Sequence, residues 1–156
     1  MDFKAANVAS KTSAVNADAQ TNHLNHPRRY ALHIDAFYNL SGTLANDVTY
    51  FEAIVRSISE LAGMRLLNMT SSMIEQDLKK LDLPHFADEG GFSILGLIST
   101  SHIALHVWPA RRYFMFDLVS CRAFDLAAII THLNAILDVD KVQYSHISNA
   151  EVTDDG

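Results

Sequence analysis

Residues 99–121 read STSHIALHVWPARRYFMFDLVSC. Two runs of alternating apolar residues, Ser101–Trp108 and Tyr113–Cys121, flank a short connection that carries Pro109. This pattern predicts an antiparallel hairpin. In the first run Ile103, Leu105 and Val107 point one way, and His102, Ala104, His106 and Trp108 the other. The first set reads as core. The second fits either a half-buried sheet surface or the lining of a pocket. The preceding run GFSILGLIS (91–99) reads as a third strand. If its turn centres on Ser99–Thr100, Ser93 stands directly across from His106.

Two chemistries can be tested on this stretch. His102 and His106 share a face, but four strand residues span about 13 Å. Zinc–nitrogen bonds are about 2.0–2.1 Å long, so the pair cannot clasp one ion, and no metal ligand set is expected. Cys121 is the chain's only cysteine. A lone cysteine is commonly inert core, but one at the end of a strand and followed by Arg122 is also placed for reactivity.

Outward from the hairpin, YALHIDAFY (30–38) reads as a first strand. Leu44, Val48, Phe51, Ile54, Val55, Ile58 and Leu61 recur at helical spacing and predict a helix ending near Gly63. MRLLNMTSS (64–72) is expected as a second strand. Met73, Ile74, Leu78 and Leu81 suggest a short helix that stops before Pro84. A second amphipathic helix is expected from Phe124 to Leu137, then a last strand KVQYSHI (141–147). Two helices cannot cover both faces of such a sheet. The expected fold class is α+β: a two-layer sandwich, an antiparallel sheet with two helices on one face. The other face calls for cover by a partner sheet.

At 156 residues the chain suits one domain with one core, expected over residues 29–149. Residues 1–28, rich in Ala, Asn, Ser and Thr, are expected to be a disordered tail, as are residues 150–156. No stretch resembles a secretory signal, and no apolar run reaches the roughly 20 residues of a membrane helix. A net charge of −6, with basic doublets scattered at Arg28-Arg29, Lys79-Lys80 and Arg111-Arg112, argues against nucleic acid. The single cysteine fits a reducing, cytoplasmic setting.

The hairpin resembles the self-processing site of the prokaryotic-type S-adenosylmethionine decarboxylases. That site has Glu-Ser-His, a second His five residues after the Ser, then Trp-Pro and Asp-x-x-x-Cys. Ser101, His102, His106, Trp108, Pro109, Asp117 and Cys121 match it without a gap. Ser93 and His85 match an upstream Ser and His, and the first strand resembles the family's opening strand. The likeness spans roughly residues 30–148.

The resemblance implies a pyruvoyl-dependent decarboxylase of polyamine biosynthesis, made by cleavage between Thr100 and Ser101. A covalent pyruvoyl group derived from Ser101 would form a Schiff base with the substrate amine and accept the electrons released as CO2 leaves. Neither metal nor pyridoxal phosphate is implied. By the family pattern, Ser93 and His106 serve the cleavage and Cys121 is the proton donor. Phe86, Trp108 and position 110 fall among the substrate-binding residues. A homodimer or higher homo-oligomer, in which two sandwiches pair, is implied as well.

Departures from the pattern are equally specific. Thr100 replaces a Glu. Ala110 replaces the Glu that binds the nucleoside ribose, a hydrogen bond worth about 1.5–3 kcal/mol when charged. Arg111-Arg112 replaces a Tyr-Gly-like pair, and residues 72–84 look like an insertion. Cleavage residues are thus kept while nucleoside-binding ones are eroded. S-adenosylmethionine stands as the first substrate, arginine or ornithine as the alternative, and a non-catalytic regulatory paralogue as a further one. His85 and His132 are read as structural, His132 because it falls in the second helix.

Overall fold

The computed structural model describes residues 29–40, 42–74, 90–99 and 101–148. Both expected tails, the segment with Phe86 and His85, and Thr100 lie outside the described residues. Six strands form one antiparallel sheet: β1 (Tyr30–Tyr38), β2 (Leu66–Ile74), β3 (Gly91–Ile98), β4 (Ser101–Trp108), β5 (Tyr113–Ser120) and β6 (Val139–Ser148). Their order across the sheet is β2-β3-β4-β5-β1-β6. Two helices, α1 (Val48–Leu61) and α2 (Leu126–Leu137), pack on one face. This is the expected two-layer α+β sandwich.

Period-two alternation decides which side chains meet the helices. Leu32, Ile34 and Ala36 of β1, Phe92 and Ile94 of β3, Ile103, Leu105 and Val107 of β4, and Phe114, Phe116 and Leu118 of β5 are all buried there. They share one core with Phe51, Ile54, Val55 and Ile58 of α1 and Ile129, Leu133 and Leu137 of α2. Phe51 meets Phe92 and Tyr38 edge-on, with ring centroids 5.2 and 5.8 Å away. Truncating such a ring to alanine costs about 3–5 kcal/mol. Gly96 lets α1 approach: a Cβ there would stand 2.8 Å from Val55 Cγ1.

Each helix begins where a carboxylate satisfies a free amide. Asp47 accepts from Thr49 N at 2.9 Å, and Asp125 from Ala128 N at 3.0 Å. The first helix therefore starts at Val48. Leu44, assigned to it by spacing, sits in a separate 3-10 turn (Gly42–Asn46) and is 41% exposed. Gly63, with φ of 66°, follows the helix end as expected. A second correction concerns Met73 and Ile74. They continue β2, paired with Phe92 and Gly91, and belong to no helix, while Leu78 and Leu81 lie outside the described residues. Edge pairing with β3 overrides a local pattern too short to decide between periods.

The opposite face of the sheet has no covering layer among the described residues. It presents Phe37, Leu95, Leu97 and Met115, each at least 36% exposed, beside His33, Asp35, Ser93, His102, His106, Trp108 and Asp117. No described helix is long and apolar enough to cross a membrane.

Candidate active site

The β3–β4 hairpin turns where the sequence places it. Ile98 pairs with Ser101 and Phe92 with Val107, so Ser93 lies directly opposite His106. Ser93 Oγ and His106 Nδ1 are joined by a hydrogen bond of 2.8 Å on the open face. A hydroxyl held on an imidazole nitrogen is a proton-transfer pair within the reach that acid–base chemistry needs.

Ser101 is the first residue of β4 and pairs with Ser120, the last of β5. Its hydroxyl is half-buried, 3.3 Å from His102 Nδ1. Cys121 follows Ser120 immediately and is exposed. Ser101 and Cys121 thus share one end of the sheet, because the two strands run antiparallel in register. Trp108 and Ala110 mark the opposite end. Trp108 stacks against Tyr113 at 5.6 Å and lies 6.4 Å from His106, while Tyr113 meets Phe37 at 5.2 Å. Ala110 is exposed in the 3-10 turn Pro109–Arg111. Arg112 closes that turn in the left-handed region, with φ of 50°, a conformation that favours glycine.

In one chain Ser101 and His106 do not meet. Five strand residues separate them by about 16 Å and point them to opposite faces. Pairing runs without a register shift from Ser101 to Val107 against β3 and from Ser101 to Trp108 against β5. A bulge between Ser101 and His106 would have reconciled the two residues, and the described residues of β4 have none.

Residues that drew no attention in the sequence complete the open face. His33 Nδ1 and the Asp117 carboxylate are hydrogen-bonded between β1 and β5, residues set opposite each other by register. The Tyr113 hydroxyl donates to Asp35. Burial first, and then the Asp35 charge and hydrogen bond, hold the Tyr113 hydroxyl above its ordinary pKa. Strict alternation in β1, which sends His33, Asp35 and Phe37 to one face, was the signal that could have found them. His132 bonds Ser57 at 2.8 Å between the helices, the structural role expected of it.

Comparison with known proteins agrees with this geometry. The family model described as S-adenosylmethionine decarboxylase matches residues 32–150. An arginine decarboxylase proenzyme of Caldivirga maquilingensis is 30% identical over 84 residues, which is 54% of this chain and 55% of that one. An S-adenosylmethionine decarboxylase proenzyme of Clostridium botulinum is 35% identical over 63 residues, 40% of this chain and 54% of that one. The matches span about half the length of these curated relatives. The crystal structure of the adenosylmethionine decarboxylase from Aquifex aeolicus superposes with a TM-score of 0.61 at 13% identity, covering 83% of this chain and 97% of that one. At that identity the likeness is one of fold.

Proposed function

Because the chain belongs to the S-adenosylmethionine decarboxylase family, we propose that it is a self-processing, pyruvoyl-dependent decarboxylase of polyamine biosynthesis. One observation carries the reading: Ser101 opens β4 opposite Ser120, which sets Cys121 beside the amino terminus that a cut at Ser101 would create. The residues at this sheet end fit a pyruvoyl group there. Ser101 Oγ attacks the Thr100 carbonyl and the peptide becomes an ester. Elimination breaks the ester's Cβ–O bond and leaves a carboxylate on Thr100. Water then replaces ammonia at residue 101. The resulting pyruvoyl carbonyl supplies the electron sink for loss of CO2 from an amine substrate. Cys121 returns the proton that replaces CO2. Ser93 and His106 move protons during the cut.

The distance between His106 and Ser101 gives the assembly its purpose. Two copies packed open face to open face stand about 10 Å apart. A two-fold axis between them that crosses β4 near its middle exchanges the strand's ends. The partner's His106 then stands over the end of β4 that carries Ser101 and meets it once that first residue of the strand turns toward the open face, and the exposed Phe37, Leu95, Leu97 and Met115 become interface core. The homodimer is thus the working unit in this reading, in a reducing cytoplasm.

S-adenosylmethionine is the substrate that the family gives, leading toward spermidine. A specific observation favours the second reading, arginine or ornithine: Ala110, exposed at the turn, offers no acceptor for ribose hydroxyls. Release of CO2 from all three compounds by the cut enzyme tests the choice. Ser101→Ala is expected to abolish both cleavage and CO2 release, and activity surviving in that variant would refute the proposal.

A further inference from the structure

Register aligns a row of residues across the open face. Ser93 opposes His106, His106 opposes Met115, Met115 opposes Asp35, and Asp35 opposes Gln143. Asp35 therefore lies two strands from His106, about 10 Å away. We propose that Asp35, on this row and beside Tyr113, receives the cationic side chain of a basic α-amino acid substrate, a guanidinium or an ammonium. The inference rests on the reading above, in which two open faces meet and the partner's His106, with its row, stands over the Ser101 end of β4.

Charge supports the assignment. The other carboxylate nearby, Asp117, is already paired with His33. Asp35 is exposed, and its bond from the neutral Tyr113 hydroxyl orients it without neutralising it. Among the described residues it has no ion-pair partner. Arg112, whose charge would oppose a cation, closes the turn beyond Trp108. Its charge is felt by the hydroxyl of Tyr38, which is buried against α1 and donates to Ala45 O.

Shape supports it as well. His33, Asp35, Gln143 and Ser145 line a cavity of about 200 Å3. This is below the roughly 300–1,000 Å3 of pockets that hold drug-sized ligands, and it suits an amino-acid side chain better than a nucleoside. The rings of Trp108, Tyr113 and Phe37 form an aromatic edge next to the row. Such faces attract guanidinium and ammonium groups. An arginine side chain has five bonds of about 1.5 Å from Cα to its guanidinium carbon, reaching about 6 Å extended. With its α-amine held at residue 101 beneath the partner's His106, it spans most of the distance to Asp35 on that same row.

The test compares wild type, Asp35→Asn and Asp35→Glu, with rates normalised to the fraction of chains cut before Ser101. Arginine and ornithine are offered separately, against S-adenosylmethionine. The expected result is preference for a basic amino acid. Asp35→Asn should raise KM for that amino acid by about 10- to 100-fold, the loss of a charged hydrogen bond, with a smaller change in kcat. Asp35→Glu should recover part of it. Calorimetric titration of arginine and ornithine into Ser101→Ala, with and without Asp35→Asn, reads the same contact without cleavage. An unchanged KM in Asp35→Asn, or a preference for S-adenosylmethionine, overturns the inference while leaving the decarboxylase reading intact. If wild type remains uncut but binds a basic amino acid through Asp35, the decarboxylase reading falls and the binding site stands.

Discussion

If Ser93 and His106 serve the Ser101 of the other copy, two different chains can each supply half of one processing site. Ser101→Ala keeps the hydrogen-bonded pair but has no hydroxyl to attack. His106→Ala keeps the hydroxyl but loses the pair. Alone, the first stays uncut and the second is cut about 100- to 10,000-fold more slowly, the usual value of a positioned acid–base group. Within one chain about 16 Å separates the two residues, against the 2.8 Å that joins Ser93 to His106. Rotation of a side chain cannot close that gap. Co-expression in equal amounts, with a different tag on each variant, pairs the chains at random. Half of the His106→Ala chains then face a Ser101→Ala partner with an intact His106. Roughly half of the His106→Ala chains, or a quarter of all chains, should be cut, and the Ser101→Ala chains should not. Denaturing electrophoresis of the separately tagged chains reads the ratio. Cleavage of His106→Ala alone at the wild-type rate, or no rescue in a mixture shown to contain heterodimers, would refute the reasoning.

Cys121→Ser should still be cut but lose CO2 release by about 100- to 10,000-fold, measured with radiolabelled carboxyl substrate. Arg112→Gly relieves a left-handed backbone and should stabilise the fold by about 1 kcal/mol, raising the melting temperature by about 2–4 °C in a thermal scan. Burial pushes the Tyr38 hydroxyl from 10.0 up to about 12, with Arg112 partly opposing the shift. A raised folded value means that its contribution is complete below pH 10.0 and is lost as pH rises through about 12. Tyr38→Phe should remove that alkaline loss from the curve of unfolding free energy against pH. It should also cost about 1 kcal/mol at neutral pH for the bond to Ala45 O.

The strands of the hairpin were legible because alternation and turn position together determine register. A turn expected at Ser99–Thr100 suffices to oppose Ser93 and His106, and the structure pairs them. The helices were legible from spacing, but Leu44 was not separable from α1 until the Asp47 cap was seen. Met73 and Ile74 show the limit of local pattern, since what holds them extended is β3, a neighbour in space. The same limit hid His33 and Asp35. Their partners Asp117 and Tyr113 lie on β5, and only the placement of β1 beside β5 brings them together. The conflict between Ser101 and His106 was visible as a parity mismatch in the sequence. The resolution proposed above is a second copy, which a single chain's pattern cannot show.

The central claim, that this chain makes its own catalytic group at Ser101, is tested most directly by intact mass of the purified protein under denaturing conditions. The account predicts two chains, residues 1–100 and 101–156, the second blocked to amino-terminal sequencing. Their summed mass should equal the precursor plus one water minus one ammonia. A single full-length chain would contradict the claim. So would two chains whose masses sum to the precursor plus one water, because that is the signature of ordinary proteolysis.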